Sequence, residues 1–415
     1  MDCEPRPGTD WRRVAALVFA IAWGGNEFTP LLVMYRDVSH YSALMVNVLL
    51  GAYVLGIIPA LLIGGPLSDR YGRRRLLIPA APIGIIGSLI LAAGPSSVAM
   101  LSLGRVLSGV ALGLAMAVGT TWITELSAPG TGARRASLAL TLGFLVGAGI
   151  AGALAQWGPW RTALPYLLHA AVTALTWLAI LPARETHPRS ATPRRLRDDL
   201  RVPALGHRRF WRVVVPLAPW VFGAVGSAYA VLPGLMRDHS GGMPIAFSAL
   251  LTVITLACGF GIQSLGRTID TRHSARASVV ALVMIVAGLS LAAWAAATLS
   301  LPVVIVAAAV LGCGYGIALV AGLSEVQRIA GPDDLAGLTA VYYSIAYTGF
   351  FVPALLSLLS GRWAYPVMFG GGVVLAVVAL VVVACAWRAH LPTGGGAGHT
   401  DSLADADAGE AALVR

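Results

Sequence analysis

Two groups of ionisable residues stand out in a chain of 415 residues that is 57% hydrophobic and only 12% charged. The first is a lone acid, Glu27, in the apolar run VAALVFAIAWGGNEFTPLLVMY, with Asn26 before it and Pro30 beyond it. A carboxyl group in apolar surroundings favours its uncharged form, and it can take up and release a proton. A charge at the centre of a membrane helix costs about 2.5–3.5 kcal/mol, so an acid kept there points to function. Proton coupling is such a function, since one charge moved through 100 mV is worth about 2.3 kcal/mol, roughly a fifty-fold substrate gradient. The plainer reading is a protonated Glu27 hydrogen-bonded to a neighbouring helix. Its candidate cation is Arg105 in LGRVLSGVALG, where Gly109 and Gly113 share a helix face with it and permit close helix approach. At 1.5 Å per residue Glu27 lies about 21 Å above Arg13, and Arg105 about 30 Å above Glu125. Arginine's reach and helix tilt must close that gap, or else Arg105 snorkels to the outer surface. The second group is the stretch GGPLSDRYGRRRLL at 64–77, which places Asp69 among Arg70, Arg73, Arg74 and Arg75.

The elements that must position these groups are apolar runs near 14–35, 43–63, 76–94, 99–123, 137–156 and 163–181, then 213–235, 244–265, 277–298, 302–323, 337–359 and 365–387. About 20 apolar residues cross a bilayer core. In hydrocarbon the backbone must satisfy its own polar groups, so these runs are expected to be helices. Mean hydropathy of +0.78 agrees. The expected fold is therefore an all-α integral membrane protein with 12 transmembrane helices. The first run is too long for a cleavable signal and lacks a small-residue cleavage site.

All 29 basic residues are arginine, and the net charge of +10 would by itself suggest a polyanion partner. Their positions say otherwise. With the N-terminus inside, the termini and the loops after even-numbered spans hold 24 of the 29. Arg36, Arg105, Arg161, Arg237 and Arg362 are the remainder. Such a bias orients both termini toward the cytoplasm of an inner (cytoplasmic) membrane and leaves no role for nucleic acid. Cys3, Cys258, Cys313 and Cys385 have neither disulfide nor metal spacing. No cofactor is called for, and without lysine the chain cannot form a lysine-bearing phosphate loop.

Residues 184–212, with nine arginines and three prolines, read as a cytoplasmic linker, with a short amphipathic helix around Arg194–Val202. It separates an N-terminal tail (1–13) and a six-helix bundle (14–183) from a second bundle (213–388) and a disordered tail (389–415). The halves echo each other. Gly65 and Asp69 recur as Gly266 and Asp270 at an offset of 201 residues, Arg75 recurs as Arg276, and Glu125 has Glu325 as its counterpart. Two pseudo-symmetric bundles with a cavity between them near mid-membrane are expected.

GGPLSDRYGRRR resembles the G-x-x-x-D-R-x-G-R-R signature of the major facilitator superfamily of secondary transporters, with Gly65, Asp69, Arg70, Gly72, Arg73 and Arg74 matching. The likeness covers the chain apart from its tails. It implies that Asp69 accepts hydrogen bonds from the start of span 11, while nearby arginines hold Asp69 and Glu125 in a cytoplasmic latch. ITELSAPGTGARRA is similar to the family's end of span 4, through Glu125, Pro129 and Arg134, and PARETHPR at 182–189 to its element after span 6. GFLVGAGIAG resembles the antiporters' span-5 motif at Gly143, Gly147 and Gly152, but Ala148 replaces its proline and Ala151 a glycine; helix packing by small residues explains it equally.

Tyr229, Tyr343 and Tyr347, with Asn26 and Glu27, are candidate cavity residues; Trp23, Tyr315 and Tyr342 extend the aromatic set, and Trp157 and Trp160 read as interfacial belt. His169, a single histidine in a bundle, reads as a packing residue. The resemblance implies alternating access, and Glu27 implies a proton. The expectation is a monomeric proton-coupled transporter in the lipid bilayer, exporting a hydrophobic or amphipathic small molecule in exchange for protons, most like the drug and metabolite antiporter branch. Uptake of an organic acid or sugar by symport is the alternative. The elements at 125–134 and 182–189, similar to the sugar-porter branch, favour uptake; the short central loop and sparse polar lining oppose it.

Overall fold

The computed structural model describes residues 9–187, 202–331 and 334–391. The helix around Arg194–Val202, most of the linker, the C-terminal tail beyond 391 and Cys3 lie outside the described residues. Among those described, eleven helices are long and apolar enough to cross a membrane: α1 Asp10–Val38, α2 Ala43–Tyr71, α3 Arg73–Ala93, α4 Val98–Glu125 and α5 Gly132–Trp157, then α7 Phe210–Leu235, α8 Pro244–Ile269, α9 Arg276–Thr298, α10 Leu301–Ile329, α11 Leu335–Leu359 and α12 Tyr365–Cys385. Between α5 and α7 lies a shorter apolar helix, α6 Leu164–Ile180, of 17 residues. Of the twelve expected spans, the sixth is thus the one that falls short of the usual crossing length.

Most helices run past the apolar stretches that announce them, because a helix continues beyond the hydrocarbon as long as no glycine or proline stops it. Gly72, with φ of 98°, separates α2 from α3, a backbone conformation that suits glycine. The end at which α1 begins and α12 finishes is called the near end below, and the opposite end the far end.

Prolines within the helices decide where they bend. Proline cannot donate to the carbonyl four residues back and its ring crowds that carbonyl. Pro30 acts on Asn26, and α1 is interrupted at Glu27, between Asp10–Asn26 and Phe28–Val38. Pro233 acts on Tyr229, and α7 loosens there into a π-helical turn, Ser227–Val231. Pro353 acts on Gly349, within the tight turn Thr348–Phe351 of α11. Three helices therefore deviate beside residues that the sequence marks as chemical.

Two hydrophobic clusters fill the interior. One is built from α1–α6 together with residues of the second half that include Val225, Tyr229, Ile245, Leu256, Tyr347 and Phe350; the other comes from the second half alone. Without a hydrophobic drive between helices in lipid, close packing depends on small side chains. Added methyl groups at Gly56 and Gly109 would lie 2.1 Å from the Val106 carbonyl oxygen and 2.0 Å from that of Tyr53, so α2 and α4 cross backbone to backbone. The crossing of α8 and α10 repeats this design, with Gly312 against the Thr255 carbonyl and Gly316 against that of Gly259. Gly143 and Gly147 of α5 seat on α1 at the Phe19 and Trp23 carbonyls, which gives that motif a packing role. The wall these crossings hold carries Arg105. Gly109→Val should therefore destabilise the fold by overpacking, by about 1–3 kcal/mol or more. A lowered thermal midpoint in detergent reads this out, while the same change at Gly370, whose added methyl meets nothing within 4 Å, should leave it nearly unmoved.

Candidate functional site

Glu27 is fully buried at the break in α1. Its Oε1 lies 3.4 Å from the Ser88 hydroxyl of α3 and 3.6 Å from His169 Nδ1 of α6. Ser88 and His169 are themselves 2.7 Å apart. His169 Nε2 lies 3.0 Å from the Ala20 carbonyl oxygen, which can only accept, so this nitrogen carries the proton. In the neutral ring Nδ1 is then the acceptor and takes the Ser88 proton. The Ser88 hydroxyl thus lies between His169 Nδ1 and Glu27 Oε1, nearer the imidazole. Glu27, Ser88 and His169 therefore form one buried relay between three helices. Gly24 makes room for it, since an added methyl would sit 2.4 Å from the imidazole. Asn26 holds the break, donating to the Phe144 carbonyl of α5 at 3.3 Å and accepting from Thr29 at 2.7 Å.

His169 is thus a functional candidate that the sequence reading took for packing. Its only advance signal was a depth close to that of Glu27.

Arg105 is also fully buried and does not snorkel to the outer surface. Its guanidinium lies between two rings, 4.7 Å from the centroid of Phe28 and 4.6 Å from that of Tyr53. Phe28 follows Glu27 directly, so the arginine does descend to the level of the acid. The two nevertheless form no direct ion pair. Nη2 donates a long bond to the Leu50 carbonyl at 3.4 Å, while Nε, Nη1 and the second carboxylate oxygen of Glu27 find no partner.

Tyr53 leads on to an aromatic cluster between the halves. It meets Tyr347 and Phe350 edge-on at 5.9 and 5.2 Å, and Phe222 stacks on both at 4.3 and 4.9 Å. Tyr229 and Tyr343 lie at its margin, 6.4 Å from Phe350 and 6.5 Å from Tyr347. The expected residues Tyr229, Tyr343 and Tyr347 are therefore brought together, with Phe222 and Tyr53 added. Tyr342 points away, its hydroxyl donating to the Ala318 carbonyl within α10 at 3.2 Å.

At the near end, Arg73 joins three helix ends. It donates to Glu125 through Nη2 at 2.9 Å, to Ser68 at 2.6 Å and to Asp69. Glu185 accepts from the backbone N–H groups of Arg73 and Arg74 at 3.0 and 2.9 Å, capping the start of α3, and Thr186 donates to Glu125. Asp69 and Glu125 are thus both held by Arg73. Asp69 does not, however, reach the start of α11, and its side chain is 54% exposed. Arg134 is exposed and joins no ion pair among the described residues, Arg70 lies over the Tyr71 ring, and Gly65 meets nothing within 4 Å.

The second half repeats the cluster with other cations. The residue corresponding to Arg73 is Ser274, so Arg328 takes over, donating to Asp270 at 2.5 Å and to Glu325 at 2.6 Å. Buried Arg209 completes it with bonds of 2.5 and 2.8 Å to Glu325. Arg209, Arg328 and Glu185 escape sequence reading because an arginine or glutamate near a helix end looks like any other charge at the membrane surface.

Polar ties between the halves gather at the far end. Asn47 donates to Ser357 at 2.7 Å, Arg237 pairs with Asp37 at 3.1 Å, and Gln156 of α5 accepts from the Ile245 and Ala246 N–H groups at the start of α8, at 3.1 and 3.2 Å. Mid-way, Tyr347 donates to the Met116 sulfur at 3.2 Å. Among the described residues no hydrogen bond or ion pair joins the halves at the near end.

These environments set different energetic stakes for the two acids of the repeat. Glu325→Gln strands a buried guanidinium and should cost about 3–5 kcal/mol. Asp69→Asn breaks a half-exposed pair and should cost less than about 1 kcal/mol. Chemical denaturation of each variant in detergent measures the contrast.

The sequence profile of the Major Facilitator Superfamily matches residues 14–352. Multidrug resistance protein 2 of Bacillus subtilis (strain 168) is 23% identical over 88% of this chain and 92% of its own length, and a chloramphenicol resistance protein of Pseudomonas aeruginosa is 25% identical over 83% of each. The glucose transporter GlcP of Staphylococcus epidermidis is 30% identical, but over 37% of this chain and 34% of its own. In fold the chain is similar to a crystal structure of the peptide transporter POT in complex with sulfate, with a TM-score of 0.71, 15% identity, and coverage of 91% of this chain and 94% of the other. The apolar helices, the paired arginine–carboxylate clusters, the matching profile and the transporter relatives converge: the chain belongs to the Major Facilitator Superfamily, and is a membrane transporter of small molecules, not an enzyme.

Proposed function

We propose that the protein is a proton-coupled secondary transporter that exports a hydrophobic or amphipathic small molecule by alternating access. The observation that carries this reading is Glu27, fully buried at a proline-made break, with a relay on one side and an unpaired guanidinium nearby. Two bundles, 14–183 and 213–388, rock about the aromatic cluster, with the arginine-rich near end in the cytoplasm and both termini there. The drug-resistance relatives extend along most of the chain, whereas the sugar-transporter likeness is confined to about a third of it, which favours export.

The far-end ties and the unlatched Asp69 fit a state closed to the outside. When the near end closes in its turn, Asp69 docks at the start of α11, whose first N–H groups offer the positive end of a helix. Proton release from Glu27 draws the carboxylate toward Arg105, and substrate binding and proton binding exclude each other at this centre. The linker tethers the bundles, and the protein works as a monomer.

In proteoliposomes with an imposed pH gradient, Glu27→Gln should abolish uphill transport while substrate binding remains measurable; undiminished gradient-driven transport would remove Glu27 from coupling. The direction of flux in the same vesicles separates export from proton-coupled uptake. Asp69→Asn should shift the population toward the inward-facing state, read as greater labelling of single cysteines in the near-end half of α11; unchanged labelling would reduce the loop to an anchor.

A further inference from the structure

We infer that the transported compound is an uncharged aromatic molecule that bridges Glu27 and Arg105, giving a hydrogen bond to the free carboxylate oxygen and accepting from the free guanidinium N–H groups. This deepens the central site of the proposed exporter and rests on that reading. Among the described residues, three buried polar atoms of this pair lack partners: Glu27 Oε2, Arg105 Nε and Arg105 Nη1. One is an acceptor and two are donors, and both side chains are fully buried. Leaving such groups unpaired is unfavourable, so a ligand supplying both complements gains from each. The guanidinium carbon lies over the rings of Phe28 and Tyr53, which give this polar pair an aromatic border. Tyr53 meets Tyr347 and Phe350 edge-on and Phe222 stacks on both, so the ring of a ligand has an aromatic surface to pack against.

Charge balance decides the class. When Glu27 has released its proton, one carboxylate and one guanidinium cancel, and the only other ionisable side chains around them are His169 and a set of tyrosines. A monocation would leave the centre one positive charge in excess, and a monoanion one negative. Either excess sits far from water, so both ions are rejected relative to a neutral compound of the same shape.

A matched set of biphenyls isolates this effect: biphenyl-4-carboxamide, biphenyl-4-carboxylate and the 4-trimethylammonium compound. Equilibrium binding to the full-length protein in detergent at pH 8, followed by tryptophan fluorescence, should favour the carboxamide over both ions by about tenfold or more. Arg105→Gln should transfer the preference to the ammonium, and Glu27→Gln should transfer it to the carboxylate. A purely structural role for either residue would weaken all three probes alike. If Arg105→Gln does not fold, Glu27→Gln, a near-isosteric change, decides alone. Equal binding of all three probes, or a preference unmoved by the exchange, overturns the inference. Gradient-driven export of the carboxamide without charge preference would sink this inference and spare the exporter. The reverse, charge preference with no gradient-driven flux, would sink the exporter.

Discussion

A carboxyl group cannot stand alone in hydrocarbon, and this constraint organises the first half of the protein. Glu27 stands about midway along α1 at a break that Pro30 makes, and the surrounding helices are arranged to receive it. α3 supplies Ser88 and α6 supplies His169, seated against the space left by Gly24. α4 brings Arg105, and the glycine crossing of α2 and α4 brings Tyr53 close enough to cover it. Each contact answers the cost of burying polar atoms, and Glu27 Oε2 with Arg105 Nε and Nη1 are left without a partner among the described residues.

The two halves solve a shared problem with different parts. Both tie the near ends of their helices by arginine–carboxylate clusters, and both cross two helices on glycines. Yet the first cluster centres on Arg73, between exposed Asp69 and Glu125, while the second buries Arg209 against Glu325. The exposed pair is cheap to rearrange and the buried one is not. The first half thus holds the readily rearranged pair and the second half the fixed one.

Much of this was legible in the residues. The apolar runs gave the helices, the stretch at 64–77 gave the family, and the isolation of Glu27 gave the centre. Other features resist linear reading. Arg105 was expected some 9 Å above the acid by helical rise alone; the ring of Phe28, one residue along, shows where the guanidinium settles. Ser88 and His169 carry no spacing signal because they come from different helices, and only three-dimensional packing sets them 2.7 Å apart. Arg209 and Arg328 looked like surface charge until the fold paired them with Glu325. The contact of Asp69 with the start of α11 that the resemblance implies is not present in this structure, where Asp69 pairs with Arg73.

Gln156 carries a consequence of its own. At the far end a neutral amide oxygen, rather than a carboxylate, receives the first N–H groups of α8. An amide does not titrate in the physiological range, so this clasp is blind to the acidity around it. Of the far-end ties, those of Gln156 and Asn47 are neutral, so the charge joining the halves there rests with the Arg237–Asp37 pair.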